Sequence, residues 1–188
     1  MKVPDPEDLS KIVEIYEKRY GKLEHIYRDV LRKFGTIKLC NLSEDNIECI
    51  LNPYFLKWGK MGRVLGFKGV RRIGDRLKEM DAQLSKFQQE DLITLNLDIM
   101  SSKIANIYDD IMNTEWLSKK GKMKRVGPTS ASKALHLVAP NLFIIWDRAI
   151  RNYYGFKDNG EGYIRFLVTL KSPKGTDEIT IERLQKRY

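Results

Sequence analysis

Apolar positions recur along most of this chain at three- and four-residue spacing, which predicts amphipathic helices rather than strands. Residues 5–34 place Ile12, Val13, Ile15, Tyr16, Tyr20, Leu23, Ile26, Tyr27, Val30 and Leu31 on one face. Gly21 interrupts that face and Gly35 stops it. Ser43 is placed as an N-cap for Glu44-Asp45-Asn46-Ile47, whose acids suit the positive end of a helix. Pro53 is expected to bend or restart that helix, with a second segment running to Leu65. Further helices are predicted at 70–87, 99–112, 130–138, 147–154, 161–170 and 179–185. Leu92-Ile93-Thr94-Leu95 fits either a brief extended piece or the start of a helix. Sheet signal, internal repeats and low-complexity tracts are lacking, and the clearest late break is Lys171–Thr176.

The fold class expected is therefore all-α. At 188 residues, 42% hydrophobic and 31% charged, the chain suits a single compact helical domain, or two lobes of one unit. No apolar run reaches bilayer-spanning length and Met1–Pro6 carries no signal-peptide core, so an intracellular setting (cytoplasm or nucleoid) is expected, with no membrane partner. Cys40 and Cys49 are too few for a disulfide framework or a four-cysteine cluster, and His25 and His136 are far apart. No metal and no cofactor are expected, and the thiols are expected to be buried or half-buried.

Thirty-four Lys and Arg against 25 Asp and Glu give a net charge of +9, which favours a polyanionic partner. Two stretches concentrate the basic residues. Lys57-Trp58-Gly59-Lys60-Met61-Gly62-Arg63, with Lys68, Arg71 and Arg72 behind it, suits backbone contact plus base stacking, or a helix with a buried Trp58 and a solvated face. Its glycines lack the Gly-Lys-Ser/Thr ending of a phosphate loop. Lys119 to Arg125 leads directly into Val126-Gly127-Pro128-Thr129-Ser130. There a tight turn opens a helix, capped by Thr129 or Ser130, with amides free for a phosphate oxygen.

Downstream, Phe143-Ile144-Ile145-Trp146 is a hydrophobic segment that ends on Asp147, and Tyr153-Tyr154-Gly155 closes the next helix. From residue 123 to 156 this succession resembles the hairpin and catalytic loop of the helix-hairpin-helix DNA glycosylases, placed here at 119–156. Val126, Gly127, Ser130 and Ala131 match that family's hairpin by type. Lys124 and Arg125 stand where Pro and Gly are usual, and Thr129 stands in the lysine slot, 18 residues before Asp147. The resemblance implies a DNA-binding base-excision protein, with duplex DNA as partner. Without a lysine at 129 it implies a monofunctional hydrolase of an N-glycosidic bond, in which Asp147 stabilises the sugar cation and positions water. Lys133, one turn beyond Thr129 on the same helix, is the alternative nucleophile. Lys122, Lys124, Arg125, Val126, Gly127, Thr129, Ser130 and Lys133 are the expected DNA contacts. Trp146 is the candidate base-pocket aromatic, ahead of Phe143, Trp58 and Trp116, although most aromatics in a helical domain are simply core. Two other readings remain: a non-catalytic nucleic-acid-binding module with Asp147 only a cap, and a basic helical domain that binds acidic proteins.

Overall fold

Ser43 acts as the sequence predicts. Its hydroxyl accepts the Asn46 amide (3.2 Å), and Asn46 Oδ1 accepts the Ser43 amide (2.9 Å), so two otherwise unpaired donors are satisfied reciprocally. This capping opens α2 (Glu44–Asn46) in a computed structural model that describes residues 23–171. Helix dominates those residues. The predicted helix at 179–185, the break at 172–176 and the first part of the 5–34 segment lie outside them.

The chain enters on α1 (residues 23–34), which buries Val30 and Phe34 and ends at Gly35 through the Gly35 amide to Leu31 O (2.9 Å). After a 3-10 turn (Leu39–Asn41), α2 continues through Pro53 without restarting there. It does so by widening to π-helical geometry over Ile47–Leu51 and Pro53–Trp58, with the Asn52 amide reaching Ile47 O and the Gly59 amide reaching Tyr54 O (2.7 Å). A proline has no amide and crowds the carbonyl four residues back, and a wider turn relieves both conflicts. The helix stops at Trp58, short of the predicted Leu65, and an irregular segment runs to α3.

α3 (Gly66–Glu79) buries Gly69, Val70, Ile73, Gly74 and Leu77 and exposes Lys68 and Arg71. The predicted 70–87 helix breaks at Met80, where ψ is 11°, and resumes as α4 (Asp81–Leu84) and a 3-10 turn (Ser85–Phe87). α5 (Leu97–Met112) is capped by Asn96 and packs against α6 (Pro128–Val138) and α8 (Gly160–Lys171). Ile104, Ile107, Tyr108 and Ile111 carry its buried face. α7 (Arg148–Tyr154) ends on Gly155 at φ 63°, the left-handed cap that the Tyr-Tyr-Gly ending suggested. One contiguous cluster of buried residues joins α1 through α8.

One element departs from the all-helical expectation. β1 (Glu115–Leu117) and β2 (Met123–Arg125) pair antiparallel, with Trp116 opposite Lys124 and Leu117 opposite Met123. Three-residue strands are too short to show an alternating pattern above the basic composition of 119–125. The turn is held by the Ser118 amide to Lys122 O (2.9 Å) and the Gly121 amide to Ser118 O (3.0 Å), with Gly121 at φ 72°. Lys124 and Arg125 therefore lie in a strand. Cys40 and Cys49 are free and exposed, a correction to the expected buried thiols.

Candidate functional site

The turn before α6 is built on Gly127, whose φ of 75° only glycine adopts without strain, and Pro128 begins the helix. The Val126 amide donates to Thr114 O (3.1 Å) and the Gly127 amide to Met112 O (3.0 Å). These two amides dock the turn on the end of α5 and are not free for phosphate; the helix's own first amides, which the sequence suggested for that role, belong to Thr129 and Ser130. Neither Thr129 nor Ser130 caps the helix with its side chain. Ser130 is fully buried, and its Oγ has no hydrogen-bond partner among the described residues.

Thr129 has another role. Its hydroxyl accepts from Arg151 Nη1 (3.1 Å), a guanidinium that also reaches Trp146 O (3.3 Å) and pairs through Nε with Asp158. Arg151 is only 4% exposed, so this arginine clamps the start of α6 to α7. Tyr108 adds a second clamp. Its hydroxyl donates to Pro128 O (3.0 Å) and accepts the Trp146 indole N–H (2.8 Å). Ser132 Oγ completes the set by accepting the Trp146 amide (3.3 Å).

Trp146 is consequently enclosed, stacked on Phe166 and with no accessible surface. A base-pocket residue needs an open ring face, so the assignment of Trp146 to that role is corrected. Phe143 is equally buried and Trp116 nearly so. The aromatic bordering the candidate centre is half-buried Trp58, which the sequence marked as part of a basic cluster and ranked behind Trp146 as a base-pocket ring.

Asp147 follows Trp146 at the surface and caps α7, its Oδ1 accepting the Ile150 amide (2.9 Å). Lys133 points from α6 to the segment after α2. Its Nζ donates to Gly59 O (2.9 Å) and lies 5.2 Å from the centre of the Trp58 ring. Burial pushes the amine below the ordinary lysine range, and the negative charge of Asp147 opposes that shift. The structure thus brings Lys133 and Asp147 into one electrostatic neighbourhood, while Thr129 is directed to Arg151.

Behind the amine lies a stack that the sequence did not reveal. Tyr54, Trp58, Tyr27 and His136 follow one another with ring centres 5.0, 4.8 and 5.8 Å apart. His136 Nδ1 faces Phe143 O (2.7 Å), and a carbonyl only accepts, so Nδ1 carries the proton. Nε2 then accepts from the Tyr27 hydroxyl (2.6 Å). Burial lowers the pKa of His136 and favours this neutral form. The sequence signal nearest to this arrangement was Lys57-Trp58-Gly59, a tryptophan next to the glycine whose carbonyl takes the Lys133 amine.

The remaining predicted contacts divide between two faces of the hairpin. Lys122 and Lys124 line a cavity of about 300 Å³ between the hairpin and residues 62–68. Arg125, on the opposite face by the alternation of the strand, pairs with Glu115 (2.9 Å). Among the described residues no cluster of His, Cys, Asp or Glu has the makings of a metal site, and no helix is long and apolar enough to cross a membrane. Comparison of the chain with protein-family models, with curated proteins and with solved structures found no match.

Proposed function

We propose that this chain binds DNA and excises a base at a centre formed by Lys133 and Asp147. The observation that carries the proposal is the desolvated Lys133 amine, fixed on Gly59 O within the electrostatic reach of the Asp147 carboxylate. A lowered lysine pKa raises the fraction of neutral amine, which is the nucleophilic form. The amine attacks the anomeric carbon as the N-glycosidic bond breaks, and the bonding pair leaves with the base. Asp147 stabilises the positive charge on the sugar, and the proton released from nitrogen passes to the departing base. Opening of the sugar ring then gives a Schiff base. Engagement of the Thr129 hydroxyl by Arg151 supports a centre displaced one turn along α6. In the hydrolytic version of the same proposal, Asp147 positions water and Lys133 contacts phosphate.

A second reading has its own support: Asp147 is a complete N-cap and Lys133 a complete tie to Gly59, so both have structural roles without chemistry. The deciding experiment incubates a panel of damaged duplexes with wild type, Lys133→Met and Asp147→Asn, with and without borohydride. A trapped adduct present in wild type and absent in Lys133→Met is the expected result. Asp147→Asn should slow base release by about 10²–10³-fold, the scale of losing one charge-stabilising group. Base release without an adduct would select the hydrolytic version. Salt-sensitive duplex binding with neither release nor adduct would leave a binding module, and no duplex binding would leave a domain for acidic proteins.

A further inference from the structure

The cavity beside the β-hairpin has a composition that the Lys133 centre does not use. Arg63, Lys68, Lys119, Lys120, Lys122 and Lys124 surround it, and its lining contains no acid. Lys124 is a brace, reaching Val64 O at 3.4 Å. Among the described residues none of the other five is in an ion pair. Cations so placed repel one another, and an anion between them removes that repulsion.

The walls are apolar and partly aromatic. Trp116 and Leu65 form the floor, with the Trp116 indole packed on Gly69 of α3. Phe67 also lines the cavity and is 67% exposed, so a large apolar ring is left in water beside the lysines. The strand register explains the mixture. Trp116 and Lys124 are paired and point to the cavity, whereas Leu117 and Met123 are paired on the opposite face.

We infer that this cavity binds single-stranded nucleic acid, with the lysines and Arg63 on phosphates and one base stacked on Phe67. A duplex has no use for an exposed ring, because its base faces are already stacked on each other, whereas a single strand offers them. A cavity of about 300 Å³ admits a nucleotide and excludes a duplex. The inference stands apart from the chemistry at Lys133 and Asp147. It supplies the strand partner on the same molecule, in addition to the duplex partner of the base-excision proposal.

The test is fluorescence anisotropy of the full chain with labelled oligothymidylate and with the corresponding duplex, across a salt series. Phe67→Ala should weaken single-strand binding about ten-fold, within the range for loss of one base stack, and leave duplex binding unchanged. The combined Lys119→Ala, Lys120→Ala and Lys122→Ala variant should flatten the single-strand salt dependence by about two logarithmic units per decade, at ~0.7 per phosphate contact. Unchanged single-strand affinity in Phe67→Ala would overturn the inference. So would tighter binding of poly-glutamate, or of phosphatidylserine vesicles, than of oligothymidylate. Base release failing while single-strand binding persists would remove only the base-excision proposal. The reverse outcome would remove only this one.

Discussion

Tyr108→Phe tests whether the clamp between α6 and Trp146 holds the candidate site in place. The substitution removes one oxygen from a fully buried position and leaves the ring, which stacks on Tyr163 at 4.5 Å. Two hydrogen bonds disappear, the one to Pro128 O and the one from the Trp146 indole. Their costs differ. Pro128 opens a regular helix, so its carbonyl retains the helical amide four residues on, and the loss there is about 1 kcal/mol. The indole N–H is fully buried and loses its acceptor, and stranding it costs about 2 kcal/mol.

The sum, about 3 kcal/mol, is a large part of a typical domain stability of ~5–15 kcal/mol. For a chain of this size it corresponds to a fall in Tm of about 6–12 °C. Urea denaturation followed by far-ultraviolet circular dichroism measures it. The same change in a Trp146→Phe background, which has no indole N–H to strand, should cost only about 1 kcal/mol, giving a coupling of about 2 kcal/mol. A cost under ~1 kcal/mol in the wild-type background, or equal costs in both, would refute the assignment of the Tyr108 hydroxyl as the Trp146 acceptor.

Two further predictions concern the surroundings of the site. Burial lowers the pKa of His136 below its ordinary 6.5, so the unfolded chain binds more protons between the two values. Its contribution is present above pH 6.5 and lost as pH falls below it. Urea midpoints of wild type and His136→Gln should therefore diverge less at pH 5 than at pH 7.5, and a constant difference would exclude a buried neutral imidazole. In Gly69→Ala, the new Cβ would lie 2.9 Å from Trp116 Cζ2. The ~1–3 kcal/mol cost of overpacking should outweigh the ~0.5–1 kcal/mol gain in helix preference, lowering the melting temperature. A more stable variant would show that the indole moves aside freely.

Most of the helical frame was legible because its signals are local. The Ser43 cap, the Gly35 stop, the Asp147 cap and the Gly155 ending each depend on residues within four positions of one another. The failures were also local in cause. Pro53 was expected to bend or restart the helix because a regular α-helix does not carry an interior proline, and the π-helical widening that accommodates it leaves no mark in composition. The break at Met80 is hidden because apolar residues keep their spacing on both sides of it.

The site was legible only in part, for a different reason. The spacing placed Lys133 one turn after Thr129, but the destination of each side chain depends on residues far along the chain. Thr129 meets Arg151, 22 residues away, and Lys133 meets Gly59, 74 residues away. No helical period carries that information. Trp146 shows the opposite error: adjacency to Asp147 in sequence suggested adjacency in function. At the start of α7, however, the backbone turns through the N-cap, so the indole is directed into the core while the next side chain stays at the surface. Burial of Trp146 is then what makes Asp147 a fixed group. The indole is held by Tyr108, and its carbonyl accepts from Arg151, immediately before the carboxylate. A carboxylate anchored in this way keeps its place relative to Lys133 without needing a direct ion pair, and the amine stays on Gly59 O.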